Sequence, residues 1–154
     1  MEIDELISPQ AVVPSLRVAN KRQLLQELAK RAAPLVGLNE KAVFDTLMER
    51  ERLGSTGIGA GTAVPHGRIA DLPRILGLFA RLEKPIDFEA IDGQPVDLVF
   101  LLLTPATSGA DHLKALARIS RLLRDKATCE KLRGTDSADA LYALLTDRTA
   151  SHAA

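Results

Sequence analysis

His66 closes a glycine-rich run, Gly54-Ser-Thr-Gly-Ile-Gly-Ala-Gly-Thr-Ala-Val-Pro-His66-Gly67, which holds five of the chain's ten glycines. Glycine gives up more backbone freedom on folding than any other residue, so such a run is costly to order. It is tolerated where the backbone must approach something closely or adopt positive φ. Successive N–H groups in glycine turns form a concavity suited to an anion, and Thr56, Gly57 and Gly59 are the candidate donors. His66 stands between Pro65, which fixes φ, and Gly67, which leaves it open, and so reads as a presented reactive group. An imidazole with a pKa of about 6.5 can be a neutral nucleophile at physiological pH. These features suggest a histidine that carries a phosphoryl group cradled by backbone donors. The alternative is a buried histidine that ties down a loop.

His112 strengthens the first reading. It falls in the first turn of a predicted helix, 108–124, where free N–H groups and the positive dipole end favour an anion. If that helix start faces the glycine run, His66 and His112 flank one phosphate. Arg50, just before the run, adds a fork of donors matched to phosphate geometry. Arg52 is its rival, and either is alternatively a solvated helix side chain. Ile58, Ala60, Val64 and Ile69 place apolar residues around His66 in sequence.

Other chemistries fit poorly. The run matches neither G-x-G-x-x-G nor a Walker A loop, so nucleotide binding is disfavoured. His66, His112 and Asp111 lack the ligand spacing of a metal site such as H-E-x-x-H, and no metal or other cofactor is expected. No G-x-S-x-G elbow supports a serine hydrolase.

The 154 residues suit one domain with a substantial core. Twenty basic and twenty acidic side chains cancel, which argues against general binding to nucleic acid or to a membrane surface. Aromatics are 3% of the chain and Trp is absent, so base-stacking platforms are poorly supplied. The single cysteine, Cys129, excludes an internal disulfide and any multi-cysteine metal site, and reads as a small helix residue. The acidic opening Met-Glu-Ile-Asp-Glu-Leu lacks a signal-peptide pattern. The longest apolar run, Leu98 to Leu103, is far below the roughly 20 residues of a membrane helix. A cytoplasmic protein is the expectation.

The elements that position these residues follow from periodicity. Leu24, Leu25, Leu28 and Ala32 mark a helix over 21–35, and Val43, Phe44, Leu47 and Met48 a second over about 39–53, capped by Asn39. Ile75–Ala80 and Val96–Leu103 are dense apolar runs that read as strands covered on both faces. Thr62–Val64 and Val12–Val18 are further strand candidates, and Pro85–Phe88 a short edge strand. In the 108–124 helix, Leu113, Leu116, Ala117, Ser120 and Leu123 line the predicted apolar face. Ser108 and Asp111 match a capping box, and Lys114, Arg118 and Arg121 form a solvated basic stripe. Short helices near 125–133 and 137–147 follow, then a flexible tail, 148–154, in which His152 is inert. The expected architecture is a single α/β domain over 1–147, a three-layer α/β/α sandwich around a small mixed sheet.

Two stretches resemble a known family. Thr56-Gly-Ile-Gly-Ala-Gly-Thr-Ala-Val-Pro-His66-Gly67 is similar to the active-histidine segment of the fructose/mannitol-type enzyme IIA domains of the bacterial phosphoenolpyruvate-dependent phosphotransferase system. So is Asp92-Gly-Gln-Pro-Val-Asp-Leu-Val-Phe-Leu-Leu-Leu-Thr-Pro105, followed by Gly109-Ala-Asp-His112-Leu-Lys-Ala-Leu. The similarity runs from Ile7 to about Asp147, and its free-standing form looks most like the nitrogen-regulatory branch. The resemblance implies that His66 is phosphorylated on Nε2, with Nδ1 oriented by a backbone carbonyl. It implies that His112 assists without being phosphorylated, and that Arg50 neighbours the phosphate. It also implies a histidine-containing phosphocarrier protein as donor, with no metal or nucleotide in that step. Regulatory protein targets, with potassium transport, a sensor kinase and nitrogen metabolism among the processes affected, are the implied output. The alternative is phosphate transfer to a sugar-permease subunit.

Overall fold

The run around Leu98–Leu103 is apolar at every position because it lies inside a sheet with both faces covered. The computed structural model describes residues 1–147, so the proposed tail and His152 lie outside the described residues. Its strands are β1 (Ile7–Leu16), β2 (Gly57–Gly59), β3 (Thr62–Ala63), β4 (His66–Ile69), β5 (Leu76–Ile86) and β6 (Val96–Pro105). Its helices are α1 (Lys21–Val36), α2 (Glu40–Arg52), α3 (Ala110–Arg124), α4 (Lys126–Arg133) and α5 (Ala138–Leu145).

The sheet runs β1-β5-β6-β3-β2, and β4 also pairs with β6. β1 lies parallel to β5, β5 antiparallel to β6, and both β3 and β4 parallel to β6. The sheet is therefore mixed, as expected. All of Leu98–Leu103 is buried. At about 25 cal/mol per Å² of apolar area removed from water, such a strand is a principal stabiliser of the core.

β3 and β4 form one broken strand. Thr62 pairs with Leu98 and Ala63 with Val99, and after two unpaired residues His66 pairs with Leu102 in the same offset. The break is Val64-Pro65. Proline has no N–H for the ladder, although its carbonyl still accepts from the Leu102 N–H at 2.9 Å. The expected brief strand at Thr62–Val64 is found at Thr62–Ala63, and His66 opens a further strand, β4, that the sequence did not suggest.

Side-chain direction follows from this register. Paired residues on neighbouring strands point to the same face, so His66 and Arg68 share the face of Leu102 and Thr104. Thr104 contacts His112 of α3, so that face is the α3 face. Gly67 turns the other way, and a Cβ there would lie 2.6 Å from the Thr46 Cγ2 of α2. α2 and α3 therefore cover opposite faces of β4, the arrangement of a three-layer α/β/α sandwich. The missing side chain at Gly67 lets α2 approach, and with it Arg50.

Helix ends follow the sequence at the first two helices. Asn20 and Asn39 accept N–H bonds from Gln23 (2.9 Å) and Ala42 (3.2 Å). Gly37 ends α1 in the left-handed region at φ 68°. Three expectations fail elsewhere. Pro85–Phe88 is not a separate edge strand, since β5 runs on through Ile86. Ser108 and Asp111 form no capping box, because Gly109 is the N-cap and no side chain caps α3. The apolar face of α3 is also rotated from the one expected. His112, Ala115, Ile119, Leu122 and Leu123 are buried, while Leu113 is 65% exposed and Ala117 is exposed. Arg118 is likewise buried and not on a solvated stripe, with Nη2 3.8 Å from the Glu2 carboxylate. Its long aliphatic stem lets a charged residue occupy an inward position.

Candidate active site at the sheet edge

β4 begins the site, α2 brings Arg50 to it, and α3 brings His112. His66, Gly67, Arg68, His112, Arg50, Thr46, Glu49 and Leu53 line one cleft of about 340 Å³. The imidazole centroids of His66 and His112 lie 5.7 Å apart, tilted by 56°. The two histidines singled out from sequence are brought together, and so is Arg50. Arg52 lines a different depression beside Lys21 and Glu89.

The His66 ring is oriented by its own backbone. Nδ1 lies 2.7 Å from the Val64 carbonyl. A carbonyl can only accept, so Nδ1 carries the proton and a neutral ring has its lone pair on Nε2. Burial lowers the pKa of His66, opposed by the Val64 hydrogen bond, and the Arg50 charge lowers it further against the pull of Glu51. Arg50 itself donates to the Gly54 carbonyl at 3.0 Å.

His112 is 6% exposed, and its Nδ1 lies 2.6 Å from the Thr104 hydroxyl. Burial pushes its pKa down to about 4, with the charges of Arg68 and His66 acting in the same direction. The folded protein therefore protonates His112 only near pH 4, whereas the unfolded chain does so near the ordinary value of about 6.5. In that window the unfolded state binds more protons, so stability rises with pH and is lost as pH falls. We expect His112 to contribute at most about 3 kcal/mol to the stability change summed over this window. Urea unfolding across the window, compared between the wild type and His112→Gln, checks it. Identical slopes would mean that His112 titrates normally.

Arg68 is the residue that sequence reasoning missed. It is exposed, donates to Ser108 Oγ (3.3 Å) and the Gly109 carbonyl (3.5 Å), and shares the cleft with both histidines. The signal was present: two residues after His66 on a strand is the same face.

Thr56, Gly57 and Gly59 are not among the residues that line the cleft. The Thr56 N–H and hydroxyl both donate to Glu51, the hydroxyl at 2.6 Å, and Glu51 is 9% exposed. Lys21 completes that cluster at 3.2 Å from Glu51. The Gly57 N–H is bonded to Ser55 Oγ at 3.1 Å. Gly59, at φ 100°, lies with Ile58 and Ala60 in a second depression beside α4. The expected backbone cradle is therefore a turn held by Glu51, and that turn anchors Arg50 through Gly54. Val64 is buried, so the apolar surface at the cleft comes from Leu53, 85% exposed.

Among the described residues no group of three or more His, Cys, Asp or Glu side chains is arranged to hold a metal. No described helix is long and apolar enough to cross a membrane. Cys129 is buried against the Leu123 carbonyl, and burial raises its pKa.

A histidine whose Nδ1 is bonded to its own backbone thus stands beside a second histidine and two arginines at the edge of this sheet. The chain belongs to the EIIA 2 family of the phosphoenolpyruvate-dependent sugar phosphotransferase system, whose sequence profile matches residues 5–148. Within it, a nitrogen regulatory protein of Bradyrhizobium diazoefficiens is 59% identical over 145 residues, covering 94% of this chain and 95% of that one. A nitrogen regulatory protein of Escherichia coli K12 is 38% identical over 148 residues, covering 96% and 91%. The crystal structure of the nitrogen regulatory protein IIA-Ntr from Neisseria meningitidis superposes with a TM-score of 0.89 at 36% identity, covering 94% and 99%.

Proposed function

We propose that the protein carries a phosphoryl group on His66 Nε2, taken from a histidine-containing phosphocarrier protein, and regulates partner proteins according to its phosphorylation state. The observation that supports this most is the Val64 carbonyl on Nδ1, which leaves the Nε2 lone pair as the ring's nucleophile. That lone pair attacks phosphorus on the donor's phosphohistidine. A new P–N bond forms, the donor's P–N bond breaks, and its electron pair returns to the donor imidazole. The lowered pKa of His66 keeps the attacking ring neutral. Arg50 and Arg68 face the charge spread over the transferring group, and His112 offers a donor beside it. The proposed step uses side chains and the Val64 main-chain carbonyl, with no cofactor.

The regulatory output rests on the nitrogen-regulatory relatives and on the surface. Leu53 supplies apolar area beside a group that gains roughly two negative charges. A partner packing there must desolvate those charges or is repelled by them. Nitrogen-related regulators are the target class that the relatives' names suggest, and potassium-related ones are added by the family resemblance, in the cytoplasm and without contact to nucleic acid or membrane.

Incubation with phosphoenolpyruvate, the upstream kinase and the phosphocarrier protein should add one phosphoryl group, stable in base and lost in acid. Site mapping should place it on His66. A hydroxyl-linked phosphate would refute the carrier reading. Efficient onward transfer to a sugar-permease subunit would favour the transport alternative.

A further inference from the structure

His66 and His112 meet the same demand in opposite ways. Each ring has Nδ1 bonded inside the protein and Nε2 as the remaining nitrogen of a cleft-lining residue. At His66 the internal partner is a carbonyl, so Nδ1 must donate. At His112 the partner is the Thr104 hydroxyl, which can donate or accept. The tautomer of His112 therefore depends on which way that hydroxyl points.

Burial decides it. Thr104 is 0% exposed, and among the described residues the His112 ring is the only hydrogen-bond partner of its hydroxyl. If Nδ1 donated, the threonine hydrogen would be left unpaired away from water, a cost that the opposite arrangement avoids. If the threonine donates, its hydrogen is satisfied and Nδ1 accepts. A neutral ring then carries its proton on Nε2. We propose that Thr104 is a positioning residue: by donating to Nδ1 it fixes His112 as the Nε2–H tautomer, a neutral hydrogen-bond donor for the phosphoryl oxygens.

This rests on the carrier reading for its purpose, though not for its geometry. The reversed tautomer would aim a lone pair at a phosphoryl oxygen and repel it. The two histidines are thus set as complements, His66 with a bare Nε2 that attacks and His112 with an Nε2–H that supports. The groups around His112 agree with a neutral ring. Arg68 from β4 is cationic and His66 lies at 5.7 Å, so a second positive charge on His112 is disfavoured. Asp111, its neighbour on α3, is exposed.

Long-range proton–nitrogen correlation of the ring nitrogens in uniformly labelled, unphosphorylated protein reads the tautomer directly at neutral pH. The expected result is His112 protonated on Nε2 and His66 on Nδ1. In Thr104→Val, which keeps the shape and removes the hydroxyl, His112 should shift toward a mixture of tautomers. Transfer from the phosphocarrier protein should then slow by about tenfold. Thr104→Ser should restore both. Wild-type His112 protonated on Nδ1 would overturn the proposal without any reference to phosphate. A Thr104→Val protein with a changed tautomer but an unchanged transfer rate would overturn the positioning role. If the wild type takes no phosphate at all, the carrier reading fails, while the ring spectra still decide the tautomer.

Discussion

A His66→Ala variant will take no phosphoryl group from the phosphocarrier protein, whereas the wild type takes one. The loss should be complete, because no other described side chain combines a neutral, oriented nucleophile with the two arginines of the cleft. Stability should change little. His66 is half-buried, and its ring bonds only the nearby Val64 carbonyl, so the melting temperature should move by no more than a few degrees. Mass spectrometry of the intact protein and a thermal melt test both halves. Undiminished uptake in the variant would place the phosphate elsewhere, and a collapsed fold would make His66 structural.

Removing the arginines should slow transfer without abolishing it. Both now bond neutral oxygens, Arg50 at Gly54 and Arg68 at Ser108 and Gly109. A dianionic phosphoryl group would replace those contacts with bonds in which donor and acceptor are both charged, bidentate in the favourable geometry. We expect Arg50→Ala and Arg68→Ala each to reduce the transfer rate by about 10²-fold, within the range seen when one stabilising donor is lost. The double variant should fall short of the product of the two effects, since both face one group. Quenched-flow transfer measurements decide this. Rates at the wild-type level would return both residues to surface charge.

The sequence carried the histidines well and the backbone around them poorly. His66, His112 and Arg50 are legible because reactive residue types stand out against glycine runs and helix starts. β4 is not, because Pro-His-Gly has weak strand propensity and only pairing with β6 makes it a strand. Without that strand, Arg68 had no face to share with His66. Thr56, Gly57 and Gly59 were given to phosphate because a glycine-rich loop looks the same from sequence whether its donors face a ligand or a buried carboxylate. Glu51 is five residues upstream on a helix, and only the fold shows it turned inward to Thr56. On α3 two stripes of similar hydrophobicity compete. The inward one includes His112 and Arg118, residues that pattern reading counts as polar.

The single register shared by β3 and β4 has a consequence for signalling. His66 opens a strand held in register against β6, and so a phosphoryl group there would have little slack with which to rearrange the chain. On the proposed function, the two states of the protein would then differ in electric field more than in shape. Counter-ions damp such a field over about 8 Å at physiological ionic strength, so a partner that distinguishes them must seat directly upon the cleft.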